Sequence, residues 1–210
     1  MLFENGWEYE LCRFWIRLLY FLFLVDIDIK SKCTDIPEKG IIIASNHASN
    51  LDPPLILEAL PCRLSFVAKK ELFDIPYFGI LLKSLNMIPV NRSAFKPSTI
   101  KSISERIKEN NILIFPEGTR TRTGEIGEGK PGFGYMVKKI ECSVLPIYID
   151  SFDILKKGEL VPNSRKVRIH IGELLTFENI YDKIYNYAEK EQYLAITNLV
   201  IDRIKALKET

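Results

Sequence analysis

His47 and Asp52 stand at the two ends of the core of "NHASNLD", directly after the apolar run Ile41 to Ala44. A histidine with a carboxylate behind it can be made into a base. The carboxylate accepts the Nδ1 hydrogen, fixes the tautomer and leaves Nε2 to take a proton. That is the orienting logic of a catalytic triad without its serine. On one continuous helix the two side chains would differ by about 500° and would not meet. "DPP" at 52–54 instead marks a helix start, with Asp52 at the N-cap and Pro53 at N1. The residues before it then form a strand-to-helix turn that can fold His47 back over Asp52. A plainer alternative stays open on these residues alone: Asp52 as a helix cap only, and His47 as a turn residue only. No Gly-x-Ser-x-Gly elbow is present. Cys62 and Cys142 sit in apolar surroundings and read as structural. A nucleophile for this base would therefore come from the substrate.

The second chemical segment is "ILIFPEGTRTR", residues 112–122. A buried strand runs into Pro116, then Glu117 and Gly118, then Thr119 and Arg120. Gly118 permits an unusual turn conformation or a close backbone approach. Arg120 offers a planar fork suited to a phosphate. The alternative is a surface turn carrying a solvated arginine. "GEIGEGK" at 124–130 has the glycine and lysine spacing of a P-loop, but Pro131 follows where Ser or Thr would hold magnesium. No strand leads directly into it, so nucleotide hydrolysis is set aside. The other histidine, His170, lies in "KVRIHIGELL" without an acidic or metal-ligand neighbour and reads as structural.

Positioning these residues requires strands that end beside one another. Strand candidates are residues 25–29, 40–45, 64–68, 87–90, 112–115, 144–149 and 167–171. Helical spacing appears at Ile100, Ile103 and Ile107, and at Tyr193, Ile196, Val200, Ile204 and Leu207. This alternation predicts an α/β domain with a mainly parallel, roughly seven-stranded sheet flanked by helices. In parallel sheets, sites gather at the carboxyl ends of strands. His47, Arg92, and Glu117 with Arg120 each follow a predicted strand, so they can face one crevice.

The chain has 210 residues, 47% hydrophobic and 27% charged, with a formal net charge of +2. That length suits one domain. The small net charge gives no global field for nucleic acid. The cysteines, at 12, 33, 62 and 142, form no metal or redox pair motif and read as reduced thiols in a cytosolic setting. The N-terminal stretch is distinctive. In "ELCRFWIRLLYFLFLV" (10–25), Leu11, Trp15, Leu18 and Leu22 fall on one helical face, and Glu10, Arg13 and Arg17 on the other. The uncharged part, Leu18 to Val25, falls short of the roughly 20 residues needed to span a bilayer. No basic start or cleavage site marks a signal peptide. Two readings remain. One is an ordinary core helix. The other is an interfacial helix with Phe14, Trp15, Leu18 and Leu22 in lipid and its arginines at the headgroups.

Taken together, "NHASNLD" and "FPEGTR" resemble the two most diagnostic motifs of the glycerolipid acyltransferase family, the lysophosphatidic acid acyltransferases above all. The first is matched at Asn46, His47, Ser49 and Asp52, and the second from Phe115 through Pro116, Glu117, Gly118 and Thr119 to Arg120. "NMIPVNR" is similar to the block that ends in a phosphate-binding arginine, here Arg92. "VLPIYI", with Pro146, is similar to the last block. "FVAKKELFDIPYFG" (66–79) looks like the connecting segment, whose lysine is placed at Lys69, with Lys70 as the alternative. Asn86 stands where many members have glycine, and Pro89 where many have phenylalanine.

The resemblance implies an acyltransferase domain over 25–210, with residues 1–24 as a membrane-associating helix. It implies transfer of a fatty acyl group from acyl-CoA or acyl carrier protein to the sn-2 hydroxyl of lysophosphatidic acid, making phosphatidic acid. His47, oriented by Asp52, would be the base. Lys69, Arg92 and Arg120 would hold the acceptor phosphate, with Glu117 and Gly118 beside them. Backbone N–H groups near the first motif would face the oxyanion. No metal or further cofactor is implied. The expected location is the cytoplasmic face of the cell membrane, with the protein peripheral or monotopic. Rival readings are another acceptor (glycerol-3-phosphate, a lyso-ornithine lipid or another lysophospholipid), a hydrolase, and a catalytically silent lipid-binding protein.

Overall fold

The computed structural model describes residues 7–22, 25–76, 78–84, 87–90, 97–154 and 166–210. Its seven strands are β1 (Asp26–Ser31), β2 (Ile42–Ser45), β3 (Leu64–Lys69), β4 (Ile88–Val90), β5 (Asn111–Ile114), β6 (Val144–Asp150) and β7 (Lys166–Ile171). They form one sheet in the order β1-β7-β6-β2-β5-β3-β4. Every neighbouring pair is parallel except β6 with β7. The seven strands lie where the apolar runs predict them, with edges moved by a residue or two.

The helices are α1 (Trp7–Leu22), α2 (Asp52–Ala59), α3 (Phe78–Ser84), α4 (Pro97–Arg106), α5 (Pro131–Ile140), α6 (Phe177–Ile184) and α7 (Glu189–Lys208). Successive strand residues point to opposite faces, and this parity divides the core in two. Ile43, Leu113, Leu145, Ile147 and Ile149 pack with Leu55, Ile56 and Leu57 of α2, Leu82 of α3 and Tyr9 of α1. Ile42, Ala44, Ile112, Ile114 and Val144 pack on the other side, against Ile103, Phe133, Met136, Ile180, Ile196 and Val200. The sheet is thus covered on both faces, as a parallel sheet requires. The tightest helix contact is between α5 and α7. A Cβ on Gly134 would lie 1.9 Å from the Tyr193 carbonyl oxygen, so only glycine admits this approach.

Pro146 lies inside β6, where a strand normally needs its N–H. The antiparallel pairing with β7 reaches back only to Ile147. The Pro146 carbonyl then accepts from Gly172 N–H at 2.9 Å, so the missing donor falls at the margin of the ladder.

Helix α1 packs on the domain. The Tyr9 hydroxyl accepts from Leu64 N–H at 2.8 Å. The Arg13 guanidinium donates to the Leu60 carbonyl at 3.2 Å, at the C-terminus of α2 where the helix dipole favours a cation. Arg17 pairs with Glu58. Arg13 and Arg17 thus meet the end of α2, which offers a carbonyl and a carboxylate, and Arg17 keeps more than half of its side chain exposed. Leu11, Phe14, Trp15 and Leu22 remain exposed on the outer side, at 45%, 56%, 55% and 64%, and Leu18 is half-buried. Among the described residues no helix is long and apolar enough to cross a membrane.

Candidate active site

The sheet order brings β6, β2 and β5 side by side. All three run in the same direction, so their carboxyl ends share one edge. His47 lies just beyond β2, Glu117 just beyond β5 and Ser151 directly beyond β6. Asn46 fixes the join between β2 and β6. Its side-chain amide donates to the Ile149 carbonyl at 2.9 Å, and its amide oxygen accepts from Ile149 N–H at 2.8 Å. The side chain thereby continues the ladder for one more residue while the backbone turns away.

The turn does fold His47 over Asp52. His47 Nδ1 lies 2.8 Å from Asp52 Oδ2. The same oxygen accepts from Ala48 N–H at 2.7 Å and Ser49 N–H at 2.9 Å. Asp52 is fully buried, and its other oxygen accepts from the Ser151 hydroxyl. A buried carboxylate is costly unless it is hydrogen-bonded; here four donors surround it. The expectation that Asp52 is the N-cap of α2 needs correction. Leu51 holds that position, and Asp52 opens the helix. Pro53 and Pro54 have no N–H to cap, so the carboxylate is free to reach back into the turn. Ser49 braces the turn in its turn: its hydroxyl accepts from Leu51 N–H at 3.2 Å.

The second motif grips the histidine by its backbone. His47 N–H donates to Glu117 Oε1 at 2.9 Å. The His47 carbonyl accepts from Thr121 N–H at 2.8 Å. The Phe115 ring stacks on the imidazole, with centroids 3.9 Å apart and planes 12° from parallel. With Nδ1 engaged, Nε2 is the nitrogen left for a substrate, and the His47 side chain keeps 19% of its exposure.

Glu117 is buried, at 4% exposure. Its second oxygen accepts from Gly127 N–H at 2.8 Å. Both carboxylate oxygens therefore hold backbone, one on each side, and Glu117 serves as a brace for His47 and for the 121–130 loop. Gly118 has φ +70°, the left-handed conformation that its residue type foretold. Pro116 is buried at the strand end, and Thr119 and Arg120 are exposed. Lys69 ends β3, beside β5 in the sheet; its side chain lies outside the described residues, as do Asn86 and Arg92. Pro89 is exposed within β4.

Five backbone amides of the first motif are already engaged. The amides of His47, Ala48 and Ser49 are bound to Glu117 and Asp52. Those of Leu51 and Asp52 are bound to Ser49. Glu117 and Asp52 thus hold the amides of His47, Ala48 and Ser49 within the turn. Two contacts had no signal in the residues: the seat of Ser151 under Asp52 and the Phe115 stack. Each depends on strand neighbours 99 and 68 positions away, the latter counted from His47 to Phe115. His170 is structural, as its setting predicted. It is buried, with Nδ1 at 2.7 Å from the Leu207 carbonyl.

Known proteins share this sequence pattern and fold. The family model described as Acyltransferase matches residues 28–150. A 1-acyl-sn-glycerol-3-phosphate acyltransferase of Borreliella burgdorferi is 30% identical over 181 residues, covering 84% of this chain and 69% of that protein. One from Bacillus subtilis is 30% identical over 173 residues, covering 81% of this chain and 82% of that protein. The crystal structure of the 1-acyl-sn-glycerophosphate acyltransferase PlsC of Thermotoga maritima has the same fold, with a TM-score of 0.74 at 24% identity, over 96% of this chain and 80% of that one. The matched segment runs from β1 to the end of β6 and so contains His47, Asp52 and the Glu117 brace. With its histidine and aspartate in contact at the edge of that shared sheet, this chain belongs to the acyltransferase family.

Proposed function

We propose that the protein transfers a fatty acyl group from an acyl thioester to the sn-2 hydroxyl of lysophosphatidic acid, making phosphatidic acid. The observation that carries this reading is the 2.8 Å contact between His47 Nδ1 and a fully buried Asp52. A lipid-binding protein without turnover has no need of such a pair. The names of the Borreliella and Bacillus relatives support the acceptor.

In this mechanism Nε2 of His47 takes the proton from the sn-2 hydroxyl as its oxygen attacks the thioester carbonyl. A tetrahedral oxyanion forms. It collapses with cleavage of the carbon–sulfur bond, and the departing thiolate takes the proton back from His47. General-base assistance of this kind is worth about two to four powers of ten in rate. Fixing the acceptor against the base adds to it. Lys69, Arg92 and Arg120 form the phosphate site, with Gly118 allowing the turn that presents Arg120. The donor is acyl-CoA or acyl carrier protein. The exposed side of α1, with Phe14, Trp15 and Leu22, faces lipid at the cytoplasmic surface of the membrane, where acceptor and product reside.

A thiol-release assay with lysophosphatidic acid and a long-chain acyl-CoA tests the reading. Acceptor-dependent turnover to phosphatidic acid is expected, with a loss of about 10²- to 10⁴-fold in His47→Ala. Acyl carrier protein as donor and a panel of acceptors separate the related reactions. Release of free fatty acid without acceptor would indicate a hydrolase. Undiminished turnover in His47→Ala would overturn the mechanism.

A further inference from the structure

Ser151 is the first residue after β6, 2% exposed, and its Oγ donates to Asp52 Oδ1. The other donors to Asp52, namely His47 Nδ1 and the amides of Ala48 and Ser49, all converge on Oδ2. Three bonds on one oxygen fix where that oxygen sits. They leave the carboxylate plane able to swing about it, and the tilt of the plane determines which lone pair meets the imidazole. The serine hydroxyl holds the second oxygen and so removes this freedom. Among the described residues it supplies the one donor to Oδ1, on a carboxylate that is fully buried, where an unmatched oxygen is costly. The contact spans 99 residues of sequence and joins the third strand end of the site to the dyad.

On the reading of His47 and Asp52 as the catalytic pair, we infer that Ser151 is a positioning residue: its hydroxyl sets the orientation of Asp52, and through it the tautomer and direction of His47. It does not touch the acceptor or the thioester. Its loss should therefore lower kcat and leave KM for lysophosphatidic acid unchanged.

The test compares Ser151→Ala, Ser151→Cys and Ser151→Thr with the parent protein and with His47→Ala. The alanine variant is expected to lose on the order of tenfold in kcat, the size of one charge-assisted hydrogen bond. The cysteine variant keeps much of the side-chain volume without a strong donor and should fall with it; it carries the comparison if the alanine variant does not fold. Threonine retains the hydroxyl and should recover most of the rate. In protein labelled with nitrogen-15 at histidine, the downfield Nδ1 proton signal of His47 should move or broaden in the alanine and cysteine variants only. Full kcat with an unmoved His47 signal in both would overturn the inference. Turnover that depends on His47 but is indifferent to Ser151 would leave the proposed function standing and remove this role. If the parent protein itself gives no turnover with any donor or acceptor, the function fails, and the His47 signal alone decides whether Ser151 orients the pair.

Discussion

His47 is held at its amide, its carbonyl, its Nδ1 and one face of its ring, by Glu117, Thr121, Asp52 and Phe115. A base must sit within a few tenths of an ångström of its working position to be useful, and each of these contacts removes one way of missing it. Glu117 is the most exacting, because both its oxygens accept from backbone amides. Glutamine there has a single acceptor oxygen and would turn an NH₂ group against one of those donors. Glu117→Gln should cost about 2 kcal/mol of stability, seen as a Tm lower by about 4–8 °C for a domain of this size. The rate should fall as well, because the His47 amide loses its anchor. A wild-type Tm together with a wild-type rate would show that the brace is dispensable. The pair was legible only once both motifs were taken together, since on the residues of the turn alone a helix cap and a turn residue would serve as well. The brace was not. An acidic residue beside an arginine in "PEGTR" reads as a partner for that arginine, and only the turn geometry directs it to the backbone.

At the scale of elements, α1 shows how periodicity identifies a helical face without naming its neighbours. The spacing of Leu11, Trp15, Leu18 and Leu22 gave the apolar stripe, and periodicity alone shows that much. It does not show what the opposite stripe meets, and here Tyr9, Arg13 and Arg17 meet β3 and α2. The helix is thus occupied on both sides, with the domain on one and a proposed lipid surface on the other. Replacing Phe14 and Trp15 by serine should weaken binding to anionic vesicles at least tenfold, given about 1.5–3 kcal/mol for each large apolar side chain removed from water. The melting temperature should hardly change, because these side chains touch solvent in the free protein. Cosedimentation with vesicles together with a thermal melt separates the two effects. Unchanged vesicle binding would end the interfacial reading. Helix α2 teaches a related lesson: Asp52 had the residue type of a cap, yet two prolines removed the donors a cap would serve.

For the molecule as a whole, burial sets an alkaline limit to stability. The Cys142 thiol is pushed from its ordinary 9.0 up to about 12 by burial. The Tyr9 hydroxyl is pushed from 10.0 to about 12, again chiefly by burial. In the unfolded chain both groups lose their protons at the lower value. Between the two values the folded protein therefore binds more protons than the unfolded one, and stability falls as pH rises. Both contributions are whole below about pH 9 and spent above about pH 12. The slope is about 1.4 kcal/mol per pH unit for each group titrating. Urea unfolding followed from about pH 8 to about pH 11 should show this decline, and Cys142→Ala should make it shallower. An equal slope in that variant would mean that Cys142 contributes nothing to it. The sheet order, unlike the strands themselves, could not be read from the sequence. Seven apolar runs fix seven strands, but which lie together depends on how crossovers close over both faces. That order also has a consequence in time. Asn46 finds its backbone partner at Ile149, 103 residues further along the chain. During synthesis His47 and Asp52 emerge long before β5 and β6 exist to flank them, and pairings of such long range form late. The nascent chain therefore carries the reactive residues without the means to use them, and activity arrives only when the sheet closes.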